Sequence, residues 1–306
     1  MLFYILKRLA QAAVAMVVVS LVVFLLIRMA PGDPAEMMSP ETASEEEIQA
    51  LRVRLGLTRP LPIQFLLFMK DLVHLNLGTS FFYQKPVVEI LWLHFPRTAL
   101  LAGVSLVLSL ALGIPLGIIA AVKEGRLADF VAMGLAVIGQ SVPVFWLGLM
   151  LVLFFSIKLN WLPTSGTGTW QHLILPVVTL SAFTMALVSR LVRSGMLDIL
   201  GEDYIRTARA KGLAESLVVL RHGFRNLMIP VVTVVGMSVG ILLAGSVVTE
   251  SVFAWPGIGL MIITAVSARD YPIIQASALF VSFIVICANL VVDLLYVYLD
   301  PRIRLQ

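Results

Sequence analysis

The sequence predicts an all-α membrane protein with six transmembrane helices. Three observations carry that expectation. Of the 306 residues, 59% are hydrophobic and 13% charged, against about 25% charged in soluble globular domains. Six apolar runs approach or exceed the roughly 20 residues a helix needs to cross the hydrocarbon: Leu9–Ile27, Ala99–Val122, Val131–Ile157, Leu173–Val192, Ile229–Val248 and Ile274–Tyr298. The runs are continuous rather than alternating and too long for barrel strands, which excludes a β-barrel.

Basic residues set the expected sidedness. Lys7 and Arg8 precede the first run, and Lys123 and Arg126 lie between the second and third. Arg190, Arg193, Arg206, Arg209, Lys211, Arg221 and Arg225 fall at or between the ends of the fourth and fifth, and Arg302 and Arg304 follow the sixth. These segments alternate along the chain, so the positive-inside rule puts all four, and both termini, in the cytoplasm. The short loops opposite hold Lys158 and Arg269. The start, MLFYILKRLAQ, has the basic character of a signal peptide, but the apolar run behind it is too long for a signal core. It is read as a retained first span. The net charge of +4 is small and dispersed, which speaks against a nucleic-acid partner. The single cysteine, Cys287, excludes an intrachain disulfide and a multi-cysteine metal site.

The segment Arg28–Pro96 opens with the turn cluster Pro31-Gly32-Asp33-Pro34. Ser44-Glu45-Glu46-Glu47 reads as a capping box with Glu47 at the third helical position. Ile48, Leu51 and Leu55 follow at helical spacing, Arg52 and Arg54 suit the helix end, and Gly56 closes it. A second amphipathic segment, Ile63–Val73, puts Phe65, Met69 and Leu72 on one face. This is a small helical extracytoplasmic subdomain, either a docking surface or a packed lid. The expected division is therefore 1–98, the first span with this subdomain, and 99–306, a five-helix core.

In the second span, Gly113 and Gly117 have the spacing that lets helices approach closely, and Pro115 is a kink or a packing adjustment. The third span carries Gln140-Ser141-Val142-Pro143 near mid-membrane, polar groups that need other helices or a water-filled path. Trp161 and Trp170 in the next loop fit an interfacial belt. In the fifth span Gly236, Gly240 and Ala244 form a small-residue stripe, with Gly245, Ser238 and Ser246 beside it. The stripe serves tight packing, against a second copy or a related subunit, or leaves room for a solute. Gln140, Ser141, Ser238, Gly240 and Ser246 are the candidate path residues. Asn289 and Asp293 lie one turn apart in the sixth span. Intramembrane ionisable residues are costly and often functional, but Asp293 is near the cytoplasmic end, where water or an arginine can satisfy it.

Catalytic chemistry is missing from the pattern. His74, His94, His172 and His222 have no metal-ligand spacing. The sequence holds no nucleophile elbow, dinucleotide motif or G-x-x-x-x-G-K-[ST] loop. The expectation is a non-enzymatic conduit powered elsewhere, binding no cofactor or metal of its own.

The polar interval Glu202–Pro230, within a loop at 193–228, is the candidate functional stretch. Glu202–Lys211 reads as one short helix, Gly212 interrupts it at positive φ, and Ala214–Arg225 resumes as a second. Two short helices about a glycine make a knob that a partner can displace as a rigid body. These residues resemble the EAA loop of permease subunits of ATP-binding-cassette (ABC) importers. ARAKGL at Ala208–Leu213, with Arg221-His222 and Arg225-Asn226 before Pro230, is similar to the dipeptide, oligopeptide, nickel and glutathione branch. So are KRL at Lys7–Leu9, PGDP at Pro31–Pro34, LGL at Leu55–Leu57, WLP at Trp161–Pro163, FAWPGIG at Phe253–Gly259, RDYP at Arg269–Pro272 and DPR at Asp300–Arg302. The loop's namesake glutamate is replaced by Arg206 or Thr207.

The resemblance implies the type I ABC importer permease fold and a multi-pass place in the bacterial inner membrane. It implies a homologous second permease subunit, two cytoplasmic ATPase subunits that hold ATP and Mg, and an extracytoplasmic solute-binding protein. The cargo would be di- or oligopeptide, glutathione, nickel or another small solute. The ATPase-coupling residues would be Asp203, Tyr204, Arg206, Thr207, Ala208, Arg209, Lys211, Gly212, Leu213 and Glu215. A stand-alone secondary transporter or channel is the alternative from another class.

Overall fold

The computed structural model describes residues 2–29, 35, 44–54 and 56–299. The motifs at Pro31–Pro34 and Asp300–Arg302, and the side chains of Arg54 and Leu55, lie outside what is described. Apart from one β-bridge between Thr79 and Pro86, regular structure among these residues is helical. Helix α1 spans Leu2–Met29, followed by the short α2 (Glu45–Arg54) and α3 (Leu61–Val73). Helix α4 runs over Val87–Val122, α5 over Leu127–Ser141 and α6 over Val144–Leu151, which opens into a wide turn at Val152–Lys158. Helix α7 covers Gln171–Leu200 and α8 covers Asp203–Ala210. Then come α9 (Glu215–Val252), α10 (Ile258–Ser267) and α11 (Tyr271–Leu299). Five of these are long and apolar enough to cross a membrane, and the count is six when the bent pair α5–α6 is taken as one span.

The helices assemble around the contact between α4 and α7. Ser105, Ser109, Gly113 and Gly117 recur every fourth residue on α4, so they share one face. All four are buried against α7. Ser109 Oγ donates to the Ser105 carbonyl at 2.7 Å and lies 3.0 Å from the Ser181 carbonyl of α7. A Cβ on Gly113 would stand 2.9 Å from the Met185 carbonyl oxygen, and one on Gly117 2.6 Å from that of Ser189. The expected small-xxx-small spacing is therefore a close helix contact within the chain. Beside it Val188, Val192 and Met196 of α7 join Ala121, Val219, Leu227 and Val231 in one apolar cluster. Pro115 stands inside the continuous α4.

Three expectations are corrected. The third span is not a straight rod: α5 and α6 meet at 107°. Pro143 disfavours helical backbone at the residue before it, and Val142 is extended at φ −80°, ψ 124°. The small-residue stripe of α9 is filled in part within the chain: a Cβ on Gly236 would meet Val292 of α11 at 2.6 Å and Gly240 sits beside Val285, while Ala244 is exposed. The stretch after the fifth span, expected as a loop, contains α10. Also, α4 begins at Val87, so a boundary at 98 falls inside a continuous helix. At about 1.5 Å per residue its 36 residues span about 54 Å, well beyond the hydrocarbon core.

The subdomain after α1 is packed onto that helix. Ser44 and Glu47 form the expected reciprocal cap, with the Glu47 carboxylate accepting from the Ser44 N–H at 2.8 Å and the Ser44 hydroxyl accepting from the Glu47 N–H at 3.3 Å. Gly56 turns the chain at φ +69°. Phe24 of α1 is buried against Phe65 and Phe68 of α3, with ring centroids 5.3 and 5.7 Å away. The Gln64 side chain accepts from Arg28 Nε at 2.8 Å and donates to the Leu57 and Arg59 carbonyls.

Two buried carboxylates organise one end of the core. Glu250, at the end of α9, accepts from the Thr98 hydroxyl at 2.7 Å and from the Leu260 N–H at 3.1 Å. Thr98 in turn accepts from the Ile258 N–H at 2.8 Å. Side chains at Gly257 and Gly259 would collide with this carboxylate. The FAWPGIG motif is thus a collar that starts α10 around a buried acid. The second carboxylate, Asp270, accepts from the Ser80 hydroxyl at 2.5 Å and the Phe82 N–H at 3.1 Å. It joins the turn before α4 to the start of α11.

The α4–α7 contact sets a paired prediction. Gly117→Ala overpacks the interface and should lower stability by about 1–3 kcal/mol. Gly103→Ala on the same helix meets open space and should be neutral or slightly stabilising by helix propensity. Thermal unfolding of the two purified variants in one detergent checks the contrast.

Candidate functional site

The polar stretch between α7 and α9 makes a short helix held against the body by its apolar side. Glu202 is extended and starts α8, and Asp203 sits in the first turn, where the macrodipole favours an acid. Ile205 and Ala208, three residues apart, are buried with Val218 of α9 and packed by Ile199, Leu200 and Leu213. Asp203, Tyr204, Arg206, Thr207, Arg209 and Lys211 remain exposed.

A glycine-dependent turn closes the helix. Gly212 lies at φ +74°. Its N–H donates to the Arg209 carbonyl at 2.9 Å, and the Leu213 N–H to the Ala208 carbonyl at 3.4 Å. This is the Schellman pattern, and Leu213 also makes the apolar contact back toward Ala208 that accompanies it. Arg209 then reaches across the turn to Glu215, with nitrogens 2.7 and 3.2 Å from the two carboxylate oxygens. That bond holds the Arg209 guanidinium above its ordinary pKa, against the opposing effect of burial. Arg206 pairs with Asp203 at 3.2 Å, but both are well exposed, so this pair adds little.

The sequence reading expected two separate short helices. The first is present. The second is the opening of α9: Glu215–Leu217 leads through a wide turn at Val218–Phe224 directly into Arg225–Val252. Gly223 lies in that wide turn, close to Met196 of α7. Asn226, one turn on, donates from its side chain to the Tyr204 hydroxyl at 2.7 Å, tying α8 to α9 a second time. Of the ten expected coupling residues, nine are exposed or half-buried along α8 and its turn, and Ala208 faces its own chain.

A stronger ion pair underlies the site. Arg193 of α7 grips Asp129 of α5 through two bonds, 2.6 and 2.8 Å, while the Gly125 N–H donates to the same carboxylate at 3.0 Å. Asp129 is buried. Positive charge on Arg193 had suggested only sidedness. An acid in the first turn of an otherwise apolar run was the available signal for its partner.

The candidate path residues do not converge. Gln140 is half-buried and Ser141 exposed at the α5–α6 elbow. Ser238 and Ser246 are buried, and each donates to its own helix, to the Val234 and Leu243 carbonyls. Asp293 is paired with Arg8 of α1 at 3.2 Å, which answers the question raised by an acid in the last span.

Comparison with known proteins meets this geometry from another side. Residues 113–305 match the family described as binding-protein-dependent transport system inner membrane component. Residues 1–102 match the corresponding N-terminal family of membrane components. This chain belongs to the inner-membrane permeases of binding-protein-dependent transport systems. It is 45% identical over 304 residues, 99% of each chain, to the glutathione transport system permease protein GsiC of Escherichia coli (strain K12). The same identity and coverage hold for the GsiC proteins of Salmonella typhi and Pectobacterium atrosepticum. Among solved structures, the inward-facing MetNI methionine ABC transporter superposes with a TM-score of 0.59 at 17% identity, covering 70% of this chain and 97% of that one. A second MetNI crystal form gives 0.60 at 16%, covering 69% and 96%. The permease thus has the type I ABC importer fold and falls in the dipeptide, oligopeptide and glutathione branch. As a family member it is a multi-pass inner-membrane permease rather than a catalytic subunit.

The turn at Gly212 carries its own prediction. Gly212→Ala forces a Cβ into left-handed backbone at a cost of about 1–2 kcal/mol. Amide hydrogen exchange over Asp203–Leu213 should accelerate about five- to thirtyfold, with exchange in α4 unchanged.

Proposed function

We propose that this permease forms half of the path of an ATP-driven importer and that α8 is where ATPase motion enters it. It pairs with a homologous permease, two cytoplasmic ATPase subunits that bind ATP and Mg, and an extracytoplasmic solute-binding protein. Its termini and α8 lie on the cytoplasmic side, as the alternating basic segments require. One observation carries the coupling role: α8 is fixed to its own chain by Ile205 and Ala208 while Asp203, Arg206, Thr207 and Lys211 on its polar side stay exposed. A helix held on one side and polar on the other transmits displacement instead of absorbing it.

In this reading Asp203, Arg206, Thr207 and Lys211 touch the ATPase. Tyr204, Arg209, Gly212, Leu213 and Glu215 keep α8 in register with α9, and Ala208 anchors it from beneath. Residues 193–228 form the coupling unit, with Arg193 bracing α7 against α5. Residues 1–98 supply the first span, the outer subdomain and the start of α4, and 99–306 the translocating core. Gln140 and Ser141, at the elbow, line the path. The buried Ser238 and Ser246, with Gly240, shape the helix packing behind it.

Glutathione or a short peptide is the cargo that the 45% identity to glutathione permeases favours. Reversing charge on the exposed face, Arg206→Glu with Lys211→Glu, should lower ATP-driven uptake more than about tenfold. The amount of permease inserted should not change. Labelled glutathione, a dipeptide and nickel are offered in turn to vesicles holding the four-subunit transporter and its binding protein. Full uptake by the charge-reversed transporter defeats the coupling assignment. Uptake of nickel alone defeats the cargo assignment.

A further inference from the structure

The contact between α1 and α11 leaves a cleft whose lining contains none of the coupling or candidate path residues. Arg8, Gln11, Asn289 and Asp293 line its polar part, and Ala15 and Ile286 lie along its apolar part. Its volume is about 200 Å³, below the about 300–1,000 Å³ of pockets that enclose a drug-sized molecule. Arg8 and Asp293 form an ion pair at 3.2 Å, both partly exposed, so a zwitterion here joins an existing pair instead of meeting vacant charges. The cleft lies where charge meets the apolar stretch: Arg8 is at its polar end, and Val14, Val17, Val18 and Leu21 farther along α1 are exposed apolar side chains.

The donor set decides the ligand. One cation, one anion and two amides are complementary to a zwitterion. A simple anion gains Arg8 and is repelled by Asp293, and a simple cation meets the reverse. A phosphate needs a guanidinium and amide donors, which Arg8 and Gln11 supply. A primary ammonium needs oxygen acceptors, which the Asp293 carboxylate and the Asn289 amide oxygen supply. A trimethylammonium group has no N–H to give and is held by aromatic rings; no aromatic residue is among the cleft's described lining. The apolar floor runs from this polar mouth toward the bilayer interior, along the line of an acyl chain.

We infer that the α1–α11 cleft is a binding site for a phosphoethanolamine lipid headgroup, its phosphate on Arg8 and Gln11 and its ammonium on Asp293 and Asn289. The lipid is wedged between the first span and the last, and it joins α1 to a core that α1 otherwise reaches from outside. The inference goes beyond the transport reading and does not need it.

The intact transporter is placed in nanodiscs containing equal phosphatidylethanolamine, phosphatidylglycerol and phosphatidylcholine, and native mass spectrometry counts the lipids it retains. Wild type should hold phosphatidylethanolamine in preference to both others. Asp293→Asn should reduce that preference about fivefold, the size expected for one partly exposed charge contact. Arg8→Gln should lower retention of all three lipids. Equal retention by wild type, or a preference that survives both substitutions, overturns the site. A photoactivatable phosphatidylethanolamine gives a readout on the unaltered protein. Crosslinks in Arg8–Ala15 and Ile286–Asp293 support the assignment, and crosslinks confined to other segments refute it.

Discussion

The close approach of α4 to α7 is the contact on which the rest of the permease depends. Two glycines and two serines on one face of α4 bring backbone against backbone, where bulkier residues would hold the helices apart. Lipid gives apolar side chains no reason to prefer protein over hydrocarbon, so a membrane core relies on such packing and on satisfied polar groups. With α7 fixed on α4, Arg193 reaches Asp129 and draws in α5, while Met196 packs beneath Gly223 at the start of α9. Helix α8, the proposed coupling helix, follows α7 after a two-residue break at Gly201 and Glu202, so its position derives from the same contact.

Polar groups in the chain are spent in a consistent way. Serines and threonines along the spans donate mostly to carbonyls of their own helix, as Ser238, Thr233 and Ser282 do. Carboxylates are placed where a loop must be gathered. Asp129 collects a turn and an arginine, Glu250 collects the start of α10, and Asp270 collects the turn before α4. Asp129 and Asp270 lie at helix starts and Glu250 faces one, where backbone N–H groups lack intrahelical partners. A buried acid there is satisfied by backbone that needed an acceptor anyway.

Span number, the short helix after α7 and the glycine stop at Gly212 were readable from sequence because each rests on local chemistry. Apolar run length reports a span, and a positive-φ turn asks for glycine. The capping box at Ser44 was readable for the same reason. Pro143 is the sequence signal of the 107° bend, but the apolar run continues across it without interruption, so run length alone does not report it. The merger of Ala214–Arg225 with α9 was hidden by polarity: an exposed helix outside the membrane looks like a loop when only hydropathy marks the spans. The Arg193–Asp129 and Thr98–Glu250 pairs, 64 and 152 residues apart, depend on helix packing that no local pattern states. The glycine stripe was visible, but which helix fills it is equally a matter of packing.

Helix α9 begins at the Arg209–Glu215 bond beside the coupling helix and ends at the Glu250 collar. Its 38 residues make a strut of about 57 Å. A push delivered to one end therefore arrives at the other as part of the same movement, less whatever the wide turn at Val218–Phe224 absorbs. If α8 takes the coupling role proposed above, the two ends of α9 answer a single input, so a change of shape on one side of the membrane is not independent of the other.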